Sequence, residues 1–334
     1  MNKFLRFFFL IFLTTLSSGC ISSLPAGCPP KCTGFDLAGK DLSNRQFMES
    51  DFSKSVMVNV DLQNSNLSGA KLVETDLESA QLNNLILVGA DLSYANLRNT
   101  QMDGVTLNGA NLRGAKLGRV DLKNASMRGV RLKEAILFGT DLSGVDLSGT
   151  EMDYANLSGA TLVGTNLDGT VLSFTDFSGA DMRDASITGS WLNLTDLKGA
   201  DMSRIDLSGS ILFGANLTGA VLENAKLSGV SLVGANLSGA DLRGANLLGA
   251  TFILPIPYYA DQDFSYQKLT GKELFDALNL TSLSKPLQDS RIVALTEVRL
   301  KPLLTDTNLQ GVLYNNLTIW PVDFIIPNSA VEQD

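Results

Sequence analysis

Ala215-Asn216-Leu217-Thr218-Gly219, Ala220-Val221-Leu222-Glu223-Asn224 and Ala225-Lys226-Leu227-Ser228-Gly229 follow one another without a spacer, and the five-residue step they share decides the fold. Working outward from them, the third position of each five stays large and apolar from Leu37, in Phe35-Asp36-Leu37, to Phe252, in Ala250-Thr251-Phe252. That is forty-four consecutive positions with no slip, filled by Leu, Phe, Met and a single Ile at Ile187. A helix repeats every 3.6 residues and a strand every two, so a period of five specifies a repeat architecture of its own.

The other positions are equally regular. Two residues before each apolar centre stands a small side chain, as at Ala70, Ala80, Ala90 and Ala110, with Ser, Thr or Val as substitutes. One residue before it stands Asp or Asn, as at Asp91, Asn96, Asn111 and Asp121, and two residues after it stands Gly or Asn, as at Gly69, Gly89 and Gly109. A small and a large apolar residue separated by a polar one make a short strand with one buried face. The Gly or Asn then permits positive φ at a tight corner. Short strand and corner in alternation build a coil.

Ala155-Asn156-Leu157-Ser158-Gly159, Ala215-Asn216-Leu217-Thr218-Gly219 and Ala240-Asp241-Leu242-Arg243-Gly244 resemble the pentapeptide-repeat family. The resemblance implies an all-β fold, a right-handed quadrilateral parallel β-helix with four repeats per turn. The forty-four repeats then make about eleven coils, a solenoid roughly 50 Å long at the usual strand spacing. At its start the small position is degraded to Phe35, Lys40 and Arg45, which cannot enter a tight interior and read as a cap.

After Phe252 the period stops. Residues 255–303 form an inserted segment, and Thr270-Gly271-Lys272-Glu273 is a capping box before Leu274, Phe275 and Leu278, so part of it is expected to be helical. A second series, Leu304, Leu309, Tyr314, Ile319 and Phe324, then resumes the five-residue step. The expected organisation is a leader at 1–19, a tether and N-terminal cap at 20–34, the β-helix at 35–254, the insertion at 255–303, and terminal repeats with a C-terminal cap at 304–334.

The leader is read from Lys3 and Arg6 followed by an apolar run from Phe7 to Leu16, too short to span a bilayer. Leu16-Ser17-Ser18-Gly19-Cys20 resembles the lipobox of bacterial lipoproteins, with Ser17 where Leu is usual. The resemblance implies a lipid on Cys20 of an exported, envelope-bound chain. Ile21, in place of Asp after that cysteine, points by analogy to an outer membrane, with the rod facing the periplasm. An ordinary secretory leader with Cys20 as a thiol is the alternative. Cys28 and Cys32 flank a short proline turn, where they either close a small disulfide or remain two reduced thiols.

The chain has no histidine, which removes the usual acid–base and nucleophile-activating side chain and the commonest metal ligand. No cofactor or metal site is specified, and no enzyme is expected. The formal charge of −9 becomes −11 without Lys3 and Arg6, which argues against nucleic acid as a partner.

Residues twenty apart stack if four repeats make a turn, so outward columns follow from the sequence. One column, including Asp41, Asp61, Asp121, Asp141, Asp181, Asp201 and Asp241, is acidic; it reads first as the solubilising outer surface, second as a site for cations or basic partners. Another side carries Val171, Trp191 and Ile211, then Phe213 and Val233 leading to Ile253, with Tyr154, Phe174 and Leu194 at the corner. Such an apolar patch marks a contact, either with the inserted segment or with a partner or second copy.

The sequence is therefore read as a non-enzymatic, lipid-anchored envelope scaffold or interaction module. The runner-up is the role known for cytoplasmic relatives, an acidic rod that imitates DNA and binds a type II topoisomerase, which the leader disfavours. A carbohydrate-active β-helix enzyme, with Glu134, Arg131 and Glu151 as the nearest cluster, comes third. Ice binding is disfavoured because Thr140, Thr150, Thr165, Thr170 and Thr175 occupy inward positions.

Overall fold

The computed structural model describes Leu24 and residues 28–252, 309–310, 312–315, 317–320 and 326–333. The leader, Cys20 and the inserted segment 255–303 lie outside the described residues. Single parallel bridges join residues twenty apart on four successive sides, as in Asp41↔Asp61, Gln46↔Asn66, Asp51↔Lys71 and Val56↔Asp76. The pattern continues to Ser231↔Thr251. The chain is a four-sided stack with twenty residues per level.

A repeat with Asp or Asn before its centre satisfies its own backbone. In Ser65 to Gly69, Ser65 N–H donates to Leu62 O across the corner at 3.1 Å, and Asn66 N–H to Arg45 O in the level before at 2.9 Å. Leu67 and Gly69 donate forward to Ile86 O and Val88 O at 2.7 and 2.9 Å. The remaining donor, Ser68 N–H, goes to the Asn66 side-chain oxygen at 2.9 Å. The preference for Asp or Asn before each centre is thereby explained: the side chain accepts the one N–H that the coil leaves over. The same bond recurs from Ser93 to Asp91 and from Ser158 to Asn156, each at 3.0 Å.

The corners sit at positive φ, +67° at Gly69 for example, and non-glycine residues there adopt it too, including Asn59 at +56°. Inside, the Leu, Phe and Met centres are fully enclosed from Leu37 onward and form one continuous core. Buried hydroxyls at the small position do not break it, because they find carbonyls, some in the level before and others, as at Thr150 and Thr170, three residues back in their own level. Thr165, Thr175 and Thr195 donate to Leu142 O, Met152 O and Leu172 O at 2.8, 2.9 and 2.9 Å. Thr140, Thr150, Thr165, Thr170 and Thr175 all point inward and are buried.

At the first level Cys28 and Cys32 are joined by a disulfide with Cα atoms 4.7 Å apart, and Cys32 is enclosed in the core. Phe35, Lys40 and Arg45 are only half-buried.

At the other end the chain returns to the stack. Asp241 pairs with Leu313 and Asn246 with Ile319, and β1 (Leu313–Tyr314) pairs in parallel with β2 (Val331–Glu332). Leu309 and Val312 are buried as repeat residues should be. The five-residue series then needs correction at Ile319. Leu313 stands 52 residues past the position twenty after Asp241, and Ile319 stands 53 past the position twenty after Asn246. One extra residue is absorbed between them, so Ile319 faces outward at 48 % exposure. Trp320 takes the inward place instead, with its ring 6.5 Å from Phe252 and 5.8 Å from Tyr314.

Candidate interaction face

The bridges Glu151↔Val171, Val171↔Trp191, Trp191↔Ile211 and Ile211↔Ser231 place these residues in one vertical column. Val171, Trp191 and Ile211 are each half-buried. Around the corner Tyr154, Phe174 and Leu194 also stack, at φ of +61°, +61° and +56°. Bulky side chains in the left-handed region are strained by about 1 kcal/mol or more each. Elsewhere on the rod Gly holds most of these corners. The rings of Tyr154 and Phe174 lie parallel with centroids 4.9 Å apart, and the Lys133 ammonium stands 5.8 Å from the Tyr154 ring centroid.

Between that column and that corner runs a third line, Asp153, Ser173, Asn193, Phe213 and Val233. Its residues point away from the core yet are only 5, 3, 2, 9 and 7 % exposed. Serines at the same place in repeats on other sides range from Ser203, 9 % exposed, to Ser158, Ser178 and Ser208, which are half-exposed. Phe213 and Val233 were expected in an apolar patch; Ile253, the next in line, lies outside the described residues. Asp153, Ser173 and Asn193 were not anticipated. The signal for them is two residues earlier in each repeat: none of Glu151, Val171, Trp191, Ile211 and Ser231 is Asp or Asn. The five N–H groups of the line therefore lack the side-chain acceptor used elsewhere, and none has a hydrogen-bond partner among the described residues.

Two side-chain acceptors in the same line, Asp153 Oδ1 and Asn193 Oδ1, are also buried without a partner. Burial raises the Asp153 carboxyl to about 6, against the opposing pull of Lys133. Its own N–H and that of Ser173 pull weakly in the same direction as Lys133, although neither attains hydrogen-bond geometry.

The acidic column differs. Asp41 and Asp201 accept from the N–H of Ser43 and Ser203, each at 3.0 Å. Asp181 and Asp241 also hold Arg183 and Arg243, with guanidinium contacts of 2.6 Å. Ser43 in the first case and Arg183 in the second keep the Asp41 and Asp181 carboxyls below the usual range. These carboxylates serve the corners of the coil. Glu134 is engaged by Arg113 at 3.0 Å, while Arg131 and Glu151 face outward on adjacent levels. Among the described residues no group of Cys, Asp and Glu side chains could hold a metal ion, and no helix is long and apolar enough to cross a membrane.

The pentapeptide-repeats family model matches in eight copies, over residues 46–84, 86–124, 115–153, 150–190, 192–229 and 221–253. Among solved structures, HetL, a pentapeptide repeat protein involved in heterocyst differentiation regulation from the cyanobacterium Nostoc sp. strain PCC 7120, is 32 % identical. That match covers 68 % of this chain and 91 % of HetL, with a TM-score of 0.41. A pentapeptide repeat protein of the Arabidopsis thaliana thylakoid lumen is 29 % identical over 35 % of this chain and 71 % of its own, TM-score 0.25. QnrB1, a plasmid-mediated fluoroquinolone resistance protein, is 19 % identical over 60 % and 86 %, TM-score 0.32. No curated protein sequence matches the chain. With eight copies of the repeat model and one relative above 30 % identity, the chain belongs to the pentapeptide-repeat family, and its four-sided parallel stack is a right-handed quadrilateral β-helix.

Proposed function

We propose that this protein is a non-enzymatic interaction module of the cell envelope. It is a rod of about eleven coils held to a membrane through a lipid on Cys20 and presenting the face around Trp191 to another protein. The observation that carries the reading is the column Val171, Trp191 and Ile211, half-buried and bridged in register beside the strained corner of Tyr154, Phe174 and Leu194. Strain of this kind persists where a surface has a use for the side chains it holds. Large aromatic residues on a rigid wall supply contact area at small entropic loss.

The anchor and the face are tested separately. A photo-crosslinking amino acid at Trp191 is expected to capture one protein species in intact cells, and the same group at Ser178, on the adjoining side, is not. Equal or absent capture at both sites removes the interaction face. Incorporation of radiolabelled fatty acid that Cys20→Ala abolishes supports the anchor, and normal processing of Cys20→Ala without label removes it.

A second reading is favoured by the net charge of −9 and by the family shared with QnrB1, a fluoroquinolone resistance protein. On that reading the acidic rod binds a type II topoisomerase. The engagement of Asp181 and Asp241 by their own arginines and the basic, apolar leader weigh against it. Inhibition or protection of gyrase in a supercoiling assay supports it; no effect retires it.

A further inference from the structure

We propose that the first three levels of the rod, residues 31–90, are a foot that seats among lipid headgroups, so that the rod stands upright on its N-terminal end. The inference rests on the lipid anchor proposed above and adds to it the protein surface that meets the membrane. Trp191 stands eight levels above Lys31, which holds its face about 38 Å off that surface at the usual strand spacing.

The first observation is where apolar side chains are exposed. Met48 is 53 % exposed, and Ile86 and Val88, two levels up on the same wall, are exposed as well. Val56 is 43 % exposed on the opposite wall. With Tyr94 on the fourth level, these are the only large hydrophobic residues exposed before Leu248 among the described residues. Further along the wall of Met48 and Val88 the same outward place holds Ser148, Asp168, Thr188 and Ser208.

The second is reach. Leu24 packs against the core, and Cys20 precedes it by four residues. Four residues extend at most about 14 Å. A lipid on Cys20 therefore brings the membrane to the first level of the rod and not to its flank.

The third is charge. Residues 31–60 carry four basic and four acidic side chains, whereas residues 61–220 carry twelve and nineteen. Lys31 and Lys54 are exposed, while Asp36, Asp41 and Asp51 each accept a corner N–H at 3.0 Å. A neutral end with exposed cations tolerates anionic headgroups, and the acidic length above it is repelled by them.

The open end of the coil sets the depth. Val56, Asp61 and Asn66 donate their N–H groups to Phe35 O, Lys40 O and Arg45 O, but Asp36, Asp41 and Gln46, one level earlier, donate to no acceptor among the described residues. Hydrocarbon would leave those donors unmet; headgroup phosphates and water accept them. Seating in the headgroup layer buries about 5–10 Å of an apolar surface, and Met48 to Val88 spans two levels, about 10 Å.

The test uses the full chain, purified from membranes and reconstituted in vesicles of phosphatidylethanolamine and phosphatidylglycerol. An environment-sensitive fluorophore is placed on Met48→Cys or, on the same wall, on Ser208→Cys. With Cys20 acylated and Cys28 bonded to Cys32, the new thiol is the only one that reacts. The label on Met48→Cys is expected to shift its emission to the blue on reconstitution and to be quenched by doxyl-labelled lipid, and the label on Ser208→Cys to do neither. Val88→Cys repeats the measurement should Met48→Cys fail to fold. A fatty acid on Cys20 with both labels equally in water overturns the foot and leaves the anchor standing. Blue shifts at both positions mean that the rod lies flat, and overturn it too. Cys20 without a fatty acid removes the anchor and the foot together, and the mass of the N-terminal peptide tells that failure from the others.

Discussion

Tyr154 and Phe174 stack with ring centroids 4.9 Å apart and planes 2° from parallel, although each holds φ at +61°. The stack compensates the strain that both backbones carry. Aromatic pairs contribute about 0.5–1.5 kcal/mol beyond burial, while a non-glycine residue in the left-handed region gives up a similar amount. Lys54 has the same φ, +60°, with only an exposed 3.9 Å contact to Glu74. Lys54→Gly is therefore expected to stabilise by about 0.5 kcal/mol after the glycine entropy is subtracted, and Phe174→Gly to destabilise. Denaturant midpoints of the two variants check the opposite signs.

Leu142 is fully enclosed, and Leu142→Ala is expected to destabilise by about 2–5 kcal/mol. Thr165→Val removes the hydroxyl bond to Leu142 O, but that carbonyl keeps the Val145 N–H at 3.1 Å. Its loss is expected to be about 1 kcal/mol. Comparable losses in the two variants would show that the hydroxyl ladder matters more than the assigned bonds allow.

Asp146 accepts the Ser148 N–H at 3.1 Å, and bonding to Ser148, with Arg128 nearby, holds its carboxyl below the ordinary value of 3.8. A depressed folded pKa stabilises above the unfolded pKa and is lost as pH falls through the folded one. Asp146→Asn keeps the acceptor and is expected to unfold with a shallower acid dependence below about pH 4. Asp146→Ala loses the acceptor and is expected to be less stable at neutral pH by about 0.5–1 kcal/mol. Stability curves from pH 3 to 7 separate the two.

Asp153 has the opposite sign. Burial raises its folded pKa to about 6 from 3.8, so the folded state holds the proton more tightly and stability falls as pH rises between those values. Lys133 opposes the shift and Glu151 adds to it. Asp153→Asn is expected to remove this dependence and to stabilise above pH 6 by about 2 kcal/mol. An unchanged slope from pH 4 to 6 would contradict it.

The disulfide spans a separation of 4 residues at the first level. In a solenoid each level touches only its neighbours, so reduction is expected to speed hydrogen exchange from Cys32 to about Phe47 and to leave exchange beyond Leu97 unchanged.

The period was legible because every inward place demands one kind of side chain, and Leu37 through Phe252 answer the demand without a slip. The columns followed by counting, which is why Val171, Trp191 and Ile211 align as expected. Counting failed at Ile319, where one residue is absorbed in a corner and nothing in the local pattern distinguishes Ile319 from Trp320 as the inward side chain. It also failed for Asp153 and Asn193, whose types are those of any solvated outer position. Their one local mark is the missing Asp or Asn two residues earlier, which becomes visible only after the role of that side chain in each corner is known.

The chain departs after Phe252 and returns at Leu309 to continue the stack, and the single extra residue before Ile319 is absorbed without breaking the pairing to Asn246. A rod closed in this way behaves as a frame with one socket. Its two posts, near Thr251 and Leu313, are fixed by the bridges Ser231↔Thr251 and Asp241↔Leu313, so segments of very different length or sequence could be carried between them without disturbing the coils below. Variation among descendants of this chain is therefore expected to gather in that socket while the walls stay constant.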